Sequence, residues 1–197
     1  MTEWLAAIGE EGTHGCFFYQ SEDQYIEIAS HYFQVPLTHP KERCLWILPP
    51  QWNAPFIQHR LQPNVSTDLK PAIQNSKLVL SPWRDWFENG AGFSVQELMQ
   101  KGKKFITHTM EMGYERLWLL THALPASSPY WKQFLELEQR LEKSIQDKPV
   151  ISLCGYRLTD CPAEMIPQVT NTHQISLIRN GSLWQPIRRT RGMAKSA

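Results

Sequence analysis

"THGCFFYQSEDQYIEIASHYF", residues 13–33, joins a short apolar run to an amphipathic one, and that join decides the fold. Cys16 to Tyr19 read as a buried strand. Tyr25, Ile28, Ala29, Tyr32 and Phe33 then recur at the spacing of one helical face, up to Pro36. Ser21 and Gln24 make a capping box that starts this helix. A strand running straight into a capped helix opens many nucleotide-binding α/β domains. Here the turn holds only Gln20, Ser21, Glu22 and Asp23. A phosphate needs glycines that let the backbone approach and usually a lysine to meet its charge. Two carboxylates do the opposite, so the stretch predicts the fold without its usual ligand.

Outward from this unit, strand-like and helix-like runs alternate. "RCLWILPP" is a continuous apolar run stopped by prolines, as a strand buried on both faces would be. A short helix over Ala54 to Leu61 follows, and "KLVLSPW" gives the third strand. Ser94 with Glu97 caps a helix whose apolar face is Val95, Leu98, Met99, Phe105 and Ile106, and Gly113 ends it. "RLWLLTHAL" is the fourth strand and "VISLCGYRL" the fifth. Between them "SSPYWKQFLELEQRLEKSI" predicts a helix with a Ser cap, Pro129 at its start, and Trp131, Phe134, Leu135, Leu141 and Ile145 on one stripe. "ISLIRNGSLW" reads as a hairpin about Asn180-Gly181. The alternation predicts an α/β three-layer sandwich: a mostly parallel central sheet, helices on both faces, and an antiparallel C-terminal hairpin at one edge.

A chain of 197 residues with 42% hydrophobic and 20% charged residues supports one core, read as a single domain over residues 1–187 with a basic flexible tail over 188–197. A net charge of +1 argues against nucleic acid as a partner. No apolar run is long enough to span a membrane, and the N-terminus lacks a signal-peptide pattern, so the expected location is cytoplasmic. Cys16, Cys44, Cys154 and Cys161 are widely spaced, which suits buried reduced thiols rather than disulfides.

In such a sheet ligands bind beyond the carboxyl ends of the strands. The residues delivered there are Tyr19, Trp83 with Arg84 and Asp85, Thr121 with His122, and Tyr156 with Arg157. They are rich in aromatics and poor in glycine, which suits a small, partly apolar ligand. Glu138 falls near the centre of the apolar helical stripe, where a carboxylate must be paired, hydrogen-bonded or protonated. A structural ion pair and a ligand contact are both open for it. His14 and Cys16 share parity on one strand, as Cys154 and Tyr156 do on another, and His173 lies shortly before the hairpin. These residues predict one polar patch in an aromatic pocket. A soft-metal site built from His14, Cys16, Cys154 and His173 is the other open reading; the polar patch is favoured and no metal or cofactor is assigned, because a tetrahedral site usually draws a ligand pair from one close turn. No Gly-x-Ser-x-Gly elbow, His-Glu-x-x-His, P-loop or Gly-x-Gly-x-x-Gly occurs, so no catalytic residue is assigned, and "NGAGF" at 89–93 reads as a turn.

The ordered set "HGCFFY", "ERCLWILPP", "LVLSPWRDWFENGAGFSVQELM", "GYERLWLLTHA", "YWKQFLELEQRLEKSI", "ISLCGY" and a late "TH" resembles the MEDS domain, the methanogen/methylotroph sensory domain. The resemblance covers residues 14 to about 184. It implies a degenerate RecA/KaiC-like fold without its phosphate loop, and the sensing of a small hydrocarbon-derived ligand within signalling proteins. Positions matching that pattern are His14, Cys16, Phe18, Tyr19, Cys44, Gly92, Phe93, Glu138, Cys154, Tyr156 and His173. "LTHPKE" and the Trp-Leu-Leu run depart from the glycine-rich turn and the arginine found in many members, which leaves room for a different ligand in this chain. The resemblance and the residues delivered to the strand ends, Trp83 among them, together predict a non-catalytic sensory domain whose ligand site includes His14, Cys16, Tyr19, Trp83, Glu138, Cys154, Tyr156 and His173. Its output would pass to a separate signalling protein, with homodimerisation through the edge hairpin as a further expectation. The alternative is a pseudo-ATPase interaction module with no small ligand.

Overall fold

The structure, a computed structural model, describes residues 3–88 and 92–189. Seven strands form one sheet in the order β3-β2-β4-β5-β1-β6-β7. These are β1 (His14–Tyr19), β2 (Glu42–Ile47), β3 (Leu78–Ser81), β4 (Arg116–His122), β5 (Val150–Arg157), β6 (Ile175–Asn180) and β7 (Leu183–Arg188). All neighbouring pairs are parallel except β6 and β7. The predicted three-layer α/β sandwich with its antiparallel edge is therefore the observed one.

Parity divides the core. On one face Phe17, Tyr19, Trp46, Trp118 and Leu120 pack against α1 (Glu3–Ile8), α2 (Glu22–Thr38), α3 (Ala54–Leu61) and α4 (Leu69–Gln74). The α2 helix is clamped there by Tyr32, whose hydroxyl donates to Ile151 O at 2.9 Å and Leu119 O at 3.1 Å. The other face carries Cys16, Phe18, Cys154 and Tyr156, covered by α5 (Arg84–Phe87), α6 (Val95–Glu111), α7 (Trp131–Ile145) and α8 (Ile166–Thr170). Burying each large side chain of these layers contributes about 1.5–3 kcal/mol. The rings of the first face leave no room on β5 at Gly155: a Cβ there would lie 2.6 Å from Tyr25 Cε2 and 2.7 Å from Phe17 Cζ. Glycine is the only residue that lets the strand pass.

Both serines cap their helices, Ser21 Oγ accepting from Gln24 N at 3.3 Å and Ser94 Oγ from Glu97 N at 3.3 Å. Gly113 follows α6 at φ +87°, the left-handed position that favours glycine. Several readings need correction. The α7 helix starts at Trp131, beyond Pro129, because Ser128 Oγ accepts from Tyr130 N and closes a turn before the helix begins. The hairpin turns at Gly181-Ser182, since Asn180 pairs with Leu183. Gly181 at φ +60° supplies the first central residue that such a turn needs. Arg188, read as the first residue of the tail, closes β7, and Arg189 N donates to Gln174 O at 2.8 Å. The rest of the expected tail, and Asn89 to Ala91 of "NGAGF", lie outside the described residues. The helices α1, α4, α5 and α8 carry too little periodicity for sequence reading, yet α1 alone inserts Trp4, Leu5 and Ile8 into the core. All four cysteines are buried and free, as expected.

Candidate functional site

Strand register builds the site. His14 on β1 is the Cα partner of Ser152 on β5, and Cys16 is the partner of Cys154. The side chains at 14 and 16 and those at 152, 154 and 156 all face α7. The apolar stripe of α7 docks Trp131, Phe134 and Ile145 on this face and delivers Glu138 between the strands. Glu138 is only 2% exposed. From the other side the segment between α8 and β6 inserts His173. Its Nδ1 lies 2.8 Å from Val169 O, an acceptor only, so Nδ1 carries the proton and Nε2 points inward.

Four heteroatoms meet there. Glu138 Oε2 lies 3.0 Å from His14 Nε2 and 3.2 Å from His173 Nε2. Cys154 Sγ lies 3.5 Å from both His14 Nε2 and Glu138 Oε2. The two imidazoles stack with centroids 4.2 Å apart. Burial alone would push the Glu138 carboxyl up, but the two imidazoles outweigh it and hold it well below the usual range. Burial pulls His173 down, but Cys16, Cys154 and Glu138 raise it well above an ordinary histidine. His14 goes the other way, lowered by burial and by the charge on His173. Burial and the Glu138 charge push the Cys154 thiol up to about 12. Without any added group, these shifts favour the extra proton on His173 and the carboxylate form of Glu138, and disfavour charge on His14 and Cys154.

An aromatic cluster adjoins the tetrad. Tyr156 meets His173 edge-on at 5.7 Å and Trp131 at 6.4 Å. Ring contacts continue through Phe134 to Phe87, and from Phe87 to Trp83 at 5.0 Å. Phe87 and Phe93 also line a surface cleft beside α6. Three buried polar atoms in this cluster have no hydrogen-bond partner among the described residues: Trp83 Nε1, Trp131 Nε1 and Tyr156 Oη.

Of the residues expected to act together, the structure unites His14, Glu138, Cys154 and His173. Cys16 is adjacent, donating to Ser176 Oγ at 3.3 Å. Tyr156 and Trp83 belong to the aromatic cluster. Tyr19 does not join them: its odd parity places it on the opposite face, 2.9 Å from His122 Nδ1 and edge-on to Tyr25. Sequence reasoning missed the unpartnered Trp131 indole, whose helical stripe marked it only as core. The turn after β1 is closed to phosphate in detail. Gln20 N is taken by Gln24 Oε1 at 2.8 Å, Glu22 accepts from Trp52 Nε1 at 3.2 Å, and Asp23 pairs with Arg60.

The family model described as the MEthanogen/methylotroph, DcmR Sensory domain (MEDS) matches residues 13–174. No curated protein matches the sequence. Among solved structures the chain is similar to the flagellar accessory protein FlaH from Methanocaldococcus jannaschii. That likeness has a TM-score of 0.52 at 10% identity and covers 89% of this chain and 76% of that one. It is also similar to the KaiC-like protein PH0186 from Pyrococcus horikoshii OT3, with a TM-score of 0.57 at 9% identity over 94% of this chain and 81% of that one. Both likenesses show a RecA/KaiC-like fold. No described helix is long and apolar enough to cross a membrane.

Proposed function

Because the chain belongs to the MEDS family of sensory domains, we propose that it is a non-catalytic sensor of a small, partly apolar molecule that carries hydrogen-bond acceptors. The molecule binds in the aromatic cluster, and the output passes to a separate protein by contact. The observation that carries this reading is three buried polar atoms without a partner among the described residues, Trp83 Nε1, Trp131 Nε1 and Tyr156 Oη, all in one aromatic cluster. Each such donor left unpaired costs about 1–3 kcal/mol. A ligand with acceptors offsets that cost while its apolar part fills the rings' neighbourhood. Catalysis has no support in the tetrad, where the one acid is locked against two imidazoles.

The test is native mass spectrometry of protein purified from its own host, followed by tryptophan fluorescence against small alcohols, ketones and halogenated hydrocarbons. A bound small molecule is expected, and Tyr156→Phe should weaken its binding by up to about tenfold, the worth of one hydrogen bond. No retained molecule, together with no fluorescence response to any compound, would refute the reading.

A further inference from the structure

The tetrad has a second property that the sensing reading does not use. One atom each from His14, Glu138, Cys154 and His173 lies within 4.8 Å of every other, and all four residues are buried. Bonds of about 2.0–2.3 Å from nitrogen, oxygen and sulfur to zinc place the corners of a tetrahedron about 3.3–3.7 Å apart. Four of the six separations are 3.0, 3.2, 3.5 and 3.5 Å, two within that range and two slightly short of it, and the other two are no more than 4.8 Å.

Three further observations bear on it. His173 Nε2 is wholly buried and faces the other three donors, with Glu138 Oε2 3.2 Å away. Its Nδ1 is fixed on the Val169 carbonyl, the outer contact that orients an imidazole for metal binding. The charges also balance. Two neutral imidazoles, one carboxylate and one thiolate around a divalent cation sum to zero, which a buried site requires. The donors come from four separate elements, β1, α7, β5 and the segment before β6. Here the sheet register does the positioning that a close turn does in small zinc modules.

We propose that His14 Nε2, Glu138 Oε2, Cys154 Sγ and His173 Nε2 bind one late first-row divalent metal ion, zinc by the chemistry of the donors. On entry the ion displaces the Cys154 thiol proton and the proton shared by His173 and Glu138, so two protons leave for two positive charges gained. The inference rests on the sensing reading only for what the ion serves: it would sit against Tyr156, at the inner end of the aromatic cluster. Its existence is tested without any ligand.

The full chain is stripped with a chelator and reconstituted with zinc or cobalt(II), then characterised by elemental analysis and absorption. The expected result is one ion per chain, with tetrahedral cobalt bands and a thiolate-to-cobalt charge-transfer band. Cys154→Ser should abolish that band and Glu138→Gln should weaken binding at least tenfold. Cys161→Ser, outside the tetrad, should change neither. If Cys154→Ser does not fold, the unmodified chain decides by its own spectrum. No stoichiometric ion and no charge-transfer band there, with four titratable thiols after unfolding, would overturn the proposal and leave the tetrad an ion pair. A metal-free chain that still answers small molecules by fluorescence removes the metal alone. A metal-loaded chain that answers none leaves the centre standing and removes the sensing reading.

Discussion

Replacing Glu138 by Gln keeps the shape of the side chain and deletes one charge at the most enclosed point of the site. In the chelator-treated chain the carboxylate faces the His173 imidazolium at 3.2 Å, with Glu138 only 2% exposed. At an effective dielectric of about 20 that contact is worth about 5 kcal/mol. Part of it is offset, because the amide can donate to His173 Nε2 once that ring has lost its extra proton, and because no charge need then be desolvated. Breaking a buried pair from one side costs about 3–5 kcal/mol. The expected loss is therefore about 3 kcal/mol, read as a fall of roughly 1–2 M in the urea midpoint at neutral pH. Urea unfolding followed by tryptophan emission is the assay. A loss below about 1 kcal/mol would show that the charges are not paired in the folded chain, and His173 could not then be the protonated member of the tetrad.

Two other outcomes are expected. Calorimetric titration with ATP and magnesium should show no binding, since Gln20 N and both turn carboxylates are already engaged; a micromolar Kd would contradict this. His122 is buried and its pKa is lowered to about 4, by desolvation and then by Arg157. The unfolded chain, at about 6.5, therefore takes up a proton first as pH falls. Stability is lost from about pH 6.5 down to pH 4, by about 3 kcal/mol in all. His122→Gln, whose amide oxygen can still accept from Tyr19, should be spared that loss. A stability difference between the two chains that does not change from pH 7 to pH 4 would refute the assignment.

Much of the site was legible because the sheet is regular. Strand parity put His14 and Cys16 on one face, and 3.6-residue periodicity put Glu138 at the centre of a buried stripe. His173 carries no such pattern; its place depends on the turn after α8, which nothing short of the folded chain reveals. Tyr19 misled because the carboxyl end of a strand serves both faces, and which face holds the chemistry is set by α7, more than a hundred residues later. The Trp131 indole read as core from its stripe, and core it is. That its nitrogen lacks a partner depends on the neighbouring helices, not on its own segment.

Gly155 stands between Cys154 and Tyr156 on one strand, so the same few ångströms of backbone serve two masters. The rings of Phe17 and Tyr25 forbid any side chain there, and a strand pushed away from them would carry its two flanking neighbours with it. Among descendants of this sequence, position 155 should vary as little as the polar tetrad, although it offers no heteroatom to any visitor. A survey of inherited variation would then mark as functional a residue whose whole contribution is to be missing. It would also find the aromatic wall behind the strand drifting in concert with the chemistry in front of it.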